Sequence, residues 1–255
     1  MVGILLSRPI ASFLAEVWGW KGFYVGSAVA LAALAFLLAA RLPERRPVQP
    51  ARYGALIGSL WHLLRQEPVL RQRAITAAIV MAAFNLFWTS IVYVLGAEPF
   101  HLGQGGIAIF ALAGAGGAIF TPFFGRFADK GWSRRVTMAA HLVLIVGFGV
   151  AAWAGTAPLG VAVPLLLGGL VVSAILLDFG VLGDQTIGRY LINQLRPEAR
   201  GRINALFVGV FFVGGAAGSA ASGLLWSLGG WSAICAGGAL LGALAFRAHR
   251  RTTPA

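Results

Sequence analysis

One cysteine, Cys235, stands among 255 residues, which excludes an intramolecular disulfide and a cysteine-rich metal site. Acids are nearly as scarce, 8 Asp and Glu against 20 Lys and Arg. No Ser-His-Asp, His-Glu-x-x-His or paired-carboxylate arrangement is present, nor a G-x-x-x-x-G-K phosphate loop. The chain therefore reads as neither an enzyme nor a carrier driven by its own ATP hydrolysis, and no cofactor or metal site emerges. Charged residues of both signs make up only 11%, too few to coat a soluble domain of this size.

What is present is apolar. Hydrophobic residues are 58% of the chain and mean hydropathy is +0.82, which points to lipid as the main solvent. Runs long enough to cross about 30 Å of hydrocarbon recur, and backbone polarity in lipid requires helices or a closed barrel. Uninterrupted apolar stretches favour helices. The expected class is all-α, a polytopic bundle with eight membrane segments near 2–17, 21–40, 74–96, 106–125, 136–154, 159–182, 204–228 and 231–246.

The formal charge of +12 is distributed by side. Arg41, Arg45, Arg46, Arg52, Arg65, Arg71 and Arg73 fall between the second and third spans. Arg126, Lys130, Arg134 and Arg135 fall between the fourth and fifth, and Arg189, Arg196, Arg200 and Arg202 between the sixth and seventh. Arg247, Arg250 and Arg251 follow the eighth, while the intervening loops hold only Lys21. By the positive-inside rule the Arg-rich loops and the C-terminus are cytoplasmic. The charge marks topology, not nucleic-acid binding.

At the start, Arg8 interrupts the apolar run and Glu16 stands near its end, a poor match to a secretory leader. Shifting the chain by 211 positions lays Gly19-Trp20 on Gly230-Trp231, Gly3 on Gly214, Leu14 on Leu225 and Gly26 on Gly237. The first helix pair thus repeats the last at an offset of six helices, a parallel repeat of the kind that builds transporters. The repeat predicts that Met1 is internal to a longer protein with four further helices upstream; a native eight-span protein is the alternative.

The loop Gly125–Arg135, GRFADKGWSRR, resembles the loops of the major facilitator superfamily that carry a G-x-L-A-D-R/K-x-G-R-R pattern. Gly125, Ala128, Asp129, Lys130, Arg134 and Arg135 fit it; Phe127 stands where Leu is usual, and Trp132-Ser133 displaces the simplest ending. The resemblance implies a gating role for Gly125, Arg126, Asp129, Lys130, Arg134 and Arg135, whose acid and bases would hold the cytoplasmic ends of two bundles together. The bland alternative is a basic loop obeying the charge rule.

Leu176–Gly223 resembles the tenth and eleventh helices of the drug-efflux, arabinose-efflux-permease-like branch, through Asp178, Gly180, Val181, Pro197, Ala199, Arg200, Arg202, Asn204, Gly214, Gly215, Gly218 and Ser219. The opening stretch resembles the fifth helix, where antiporters show G-x-x-x-G-P-x-x-G-G; here Pro9 and small neighbours survive, which leaves the direction of exchange open. The resemblance implies helices five to twelve of a twelve-helix fold. Residues 1–41 would be the last pair of the N-terminal bundle, 42–73 a cytoplasmic linker and 74–255 the C-terminal six-helix bundle. It also implies a bacterial inner membrane, a monomer at full length, a small-molecule substrate and protons as the candidate coupling ion.

Candidate contacts follow from polar residues at membrane depth, which are costly unless they face a wet cavity or a partner. Arg8 either reaches a ligand or proton network or pairs with a carbonyl or an acid. Asn85, Trp88, Thr89 and Tyr93 form one helical stripe, for substrate or for interhelical bonding. Asp178, the acid placed inside a later span, either titrates or pairs with a cytoplasmic Arg. Glu16 is expected at the outer surface, and His141 as a polar residue facing other helices.

Gly114, Gly117, Gly214, Gly218 and Gly223 sit in small-residue runs that let helices approach closely. Tyr53–Arg65 reads as an amphipathic segment on the membrane face, with Leu56, Ile57, Leu60, Leu63 and Leu64 entering lipid. These features lead to an exporter of small amphipathic compounds working by alternating access. A non-transporting scaffold or regulatory subunit, or an inactive truncated carrier, is the alternative.

Overall fold

The computed structural model describes residues 2–42, 53–158 and 160–252, with the side chains of 2–13, 15, 16, 53, 55, 56, 115, 118, 251 and 252 outside the description. Among the described residues every regular element is a helix. They are α1 (Val2–Arg41), α2 (Tyr53–Gln66), α3 (Pro68–Gly96), α4 (Gln104–Gly114), a 3₁₀ stretch (Ala115–Phe120), α5 (Thr121–Asp129), α6 (Ser133–Gly155), α7 (Val163–Ile192), a 3₁₀ turn (Pro197–Ala199) and α8 (Arg200–Thr252). The chain is an all-α membrane bundle.

Two of these helices are broken at the Gly-Trp pairs that the repeat aligns. Gly19 in α1 has φ 69° and Gly230 in α8 has φ 58°, values that glycine reaches at no steric cost. At Gly230 the chain doubles back. A Cβ on Gly237 would lie 2.9 Å from the side chain of Leu225, whereas twelve residues of straight helix would separate them by about 18 Å. Trp231 locks this corner, its indole N–H donating to the Ala151 carbonyl at 2.8 Å.

Small residues set the packing. The first arm of α8 runs alongside α3, with Gly214 on the backbone of Ala78 and Gly218 on that of Ala82. Its second arm runs antiparallel to α6, with Gly238 on Phe148 and Gly242 on Ile145. Helix α7 runs antiparallel to α6, with Gly147 on Leu177 and Gly183 on Ala140. Gly114 meets Trp88 and Ala174, and Gly117 lies so close to α7 that an added Cβ would be 2.6 Å from the Asp178 Cβ. Gly223, grouped with them on sequence, has open space within 4 Å and makes no close helix contact. Phe87, Phe148, Leu144, Leu170, Leu177 and Ile234 fill the centre.

Several expected boundaries move. The helix that holds the third span begins at Pro68, six residues before the expected span, because proline suits a first helical turn where the missing N–H has no partner to lose. Arg71 and Arg73 are consequently on α3 and not in a loop. The helix that holds the sixth span continues to Ile192, ten residues past the expected end of the span. The fourth is not one helix. Pro122 cannot donate to the carbonyl four residues earlier and would collide with it, and the preceding Ala115–Phe120 run is 3₁₀.

Helix α2 occupies the stretch read as amphipathic. Leu63 is buried in the protein core and not in lipid, while Ile57 and Trp61 stay exposed and Arg65 lies over the Trp61 ring at 4.9 Å. Glu67 and Arg196, 2.6 Å apart, tie the start of α3 to the α7–α8 connection. Helix α1 lies beside α4, and the best apolar window of Val17–Arg41 has no buried residue.

Candidate functional site

Two groups of polar side chains interrupt the apolar bundle. The first is the α3 stripe. Asn85 is half-buried with its amide nitrogen beside Gly215 of α8, and the Thr89 and Ser219 hydroxyls lie 3.3 Å apart. Tyr93 is exposed, its ring 5.3 Å from that of Trp226. These three residues therefore line the seam between α3 and the first arm of α8. Trp88 departs from them. It is buried among Phe84, Phe87 and Phe110, facing α4 and α7, because its ring fills the space that Gly114 leaves open. Asp178 is buried on α7 beside Gly117 and does not join the stripe. Arg8 and Glu16 lie on α1, their side chains outside the described residues.

The second group lies at the Arg-rich end of the bundle, and sequence reading did not assemble it. Asp184 of α7 is 2% exposed and Arg73 of α3 is 4% exposed. Asp184 Oδ1 accepts a hydrogen bond from His141 Nε2 at 3.0 Å and sits 3.8 Å from Arg73 Nη1. Arg73 Nη2 donates to the Thr137 hydroxyl at 3.2 Å, and that hydroxyl donates to the Ser133 carbonyl at 2.9 Å. The His249 ring, from the end of α8, stands 6.0 Å from the His141 ring and perpendicular to it. Four helices thus meet at one ion-paired cluster.

This cluster corrects two expectations. Asp178 is not alone as a buried acid in the later spans, and Arg73 is not a solvated loop cation. His141 does face other helices, but as the hydrogen-bond partner of an acid. A periodicity signal was available. Asp184 follows Gly180 by four residues and Leu177 by seven, placing it on the face of α7 that carries those buried neighbours.

Beside the cluster, the ends of α3, α5, α6, α7 and α8 enclose a cavity of about 530 Å³ whose walls include Gln72, Arg73, Asp129, Arg134, Tyr190 and His249. It opens next to the α5–α6 loop. There Gly131 takes φ 77°, and Asp129, Lys130, Arg134 and Arg135 are exposed, as is Arg126 on α5. Gly125 has open space around it. Phe127 and Trp132, the two departures from the simplest motif, stack on each other at 5.7 Å and 9°, so each accounts for the other's presence.

The model of the Major Facilitator Superfamily matches residues 1–176. The uncharacterised transporter YgaY of Escherichia coli O157:H7 is 34% identical over 242 residues, covering 94% of this chain and 59% of its own length. Its counterpart in strain K12 gives the same identity and coverage. "Probable transporter SCO4007" of Streptomyces coelicolor is 25% identical over 241 residues, covering 92% of this chain and 52% of its own. The chain spans a little over half the length of each relative.

Proposed function

Because this chain belongs to the major facilitator superfamily, we propose that it serves a secondary transporter exporting small amphipathic compounds by alternating access, with protons as the coupling ion. Its helices would take the places of the fifth to twelfth of that fold, in a bacterial inner membrane with the C-terminus in the cytoplasm. The loop Gly125–Arg135 would gate the cytoplasmic side.

The observation that carries the cargo class is the α3–α8 seam. Tyr93 and Trp226 offer paired aromatic rings, while Asn85, Thr89 and Ser219 supply an amide and two hydroxyls along the same line. Aromatic walls with a few polar anchors suit a molecule that is apolar over most of its surface and polar at one end.

The test uses proteoliposomes loaded with DNA, where ethidium fluorescence reports arrival in the lumen under an imposed pH gradient. Gradient-dependent accumulation above protein-free vesicles, reduced severalfold by Tyr93→Ala with Trp226→Ala, is the expected result. Saturable ethidium binding without accumulation would instead favour a scaffold or an inactive carrier, and absence of both would remove this cargo class.

A further inference from the structure

The last turn of α8 is pinned by one side chain. Beyond Ala245, His249 is the one buried residue among those whose side chains are described, 2% exposed, while Arg247 and Arg250 on the same turn face outward. The end of a C-terminal helix frays at little cost unless something ties it down. Here the tie is an imidazole, a group that changes charge near neutral pH.

The surroundings of that imidazole suit its neutral form. Arg73 faces it from α3, His141 and the backbone of Arg134 from α6, and Asp184 from α7. Tyr190 of α7 and Asp129 at the end of α5 share the cavity wall with it. Asp184 is the buried carboxylate of this group, and it is already engaged, with Arg73 Nη1 at 3.8 Å and with His141 Nε2 at 3.0 Å. Asp129 is exposed, so solvent and salt screen it. A proton on His249 would therefore set a second cation beside Arg73 with no further buried acid to match it. Burial first, and then Arg73 and His141, push the His249 imidazole down to about 4 from an ordinary 6.5.

We propose that His249 is a proton-operated latch: uncharged, it holds the end of α8 against α3, α6 and α7, and on taking a proton it leaves its seat and frees that end from the bundle. The proton binds in the released state, where water accommodates the charge, so acid shifts the balance without entering the sealed site. The closed form keeps its full advantage above about pH 6.5 and loses it as pH falls towards 4. Release loosens the arginine end, beside the cavity and the α5–α6 loop, when the compartment it faces turns acid. The latch needs no cargo, so it is testable whether or not the chain transports.

A nitroxide on Arg250→Cys follows the last turn of α8, and one on Gln104→Cys follows the other end of the bundle; buried Cys235 gives little background. Spectra of the purified chain in micelles are compared from about pH 7.5 down to about pH 4.5. At position 250 the ratio of mobile to immobile signal should rise reversibly, on the order of tens-fold, while position 104 stays as it is. His249→Met and His249→Gln, which take no proton, should hold the immobile spectrum across the range. No rise at position 250, a rise that persists in the variants, or a spectrum mobile at every pH in both of them overturns the proposal. So does a simultaneous rise at position 104, which marks unfolding of the whole bundle.

Discussion

Arg73 depends on a single carboxylate. Replacing Asp184 with Ala would leave a buried guanidinium with the Thr137 hydroxyl as its hydrogen-bond partner, and removing one member of a buried pair costs about 3–5 kcal/mol. Asp184→Ala should therefore lower the melting temperature in micelles sharply. Replacing both charges, Arg73→Met with Asp184→Leu, should recover much of that loss, since apolar replacement of a whole buried pair is close to neutral. A double variant melting at or below the single one would show that the pair does not carry this energy. Neither residue stood out on sequence, for one reason. The apolar runs ended the third and sixth spans before the polar residues at their arginine-rich ends, yet the helices run on because Arg73 and Asp184 find partners on other helices. Thr137, His141 and Asp184 lie far from Arg73 along the chain, beyond the reach of a local window.

At the scale of the element, backbone proximity decides where size can change. Between membrane helices there is little hydrophobic driving force, so close packing has to supply the attraction. An added Cβ at Gly214 or Gly218 would meet the backbone of Ala78 or Ala82, which cannot swing aside as a side chain can. Gly214→Val or Gly218→Val should destabilise by about 1–3 kcal/mol through overpacking, whereas Gly223→Val, with open space around it, should be close to neutral. Melting of the three variants in one detergent checks the order, and a Gly223→Val loss as large as the others would contradict it. The small-residue runs were legible as packing surfaces, and helical phase divides their members, since at about 100° per residue Gly218 lies near Gly214 while Gly223 falls on the opposite side of the helix. Which of those sides meets α3 was not legible, because it depends on a helix far away along the chain. The Gly-Trp repeat was more informative, since a positive φ at Gly19 and Gly230 answers to a backbone need that only glycine meets cheaply.

At the scale of the whole molecule, charge and helix direction agree. The start of α3, the α5–α6 loop, the end of α7 and the end of α8 all border one cavity, and these are the segments that carry the arginines. The opposite end gathers residues 97–103 with 156–158 and 160–162, which hold no Lys or Arg. Apolar side chains cover the outside, Phe36, Ile109, Ile119 and Leu228 among them, an arrangement suited to lipid and costly in water. The proposed orientation, with the arginine end in the cytoplasm by the positive-inside rule, predicts a labelling pattern. Native Cys235 is buried and gives little background, so single cysteines placed at exposed sites report directly. In spheroplasts, Gln104→Cys and Thr156→Cys should react with a membrane-impermeant maleimide, while Lys130→Cys and Glu198→Cys should react only after the membrane is opened. The reverse pattern would invert the orientation and place the cavity of the arginine end on the outer surface, and mixed labelling at a single site would mean that the arginines do not fix the topology.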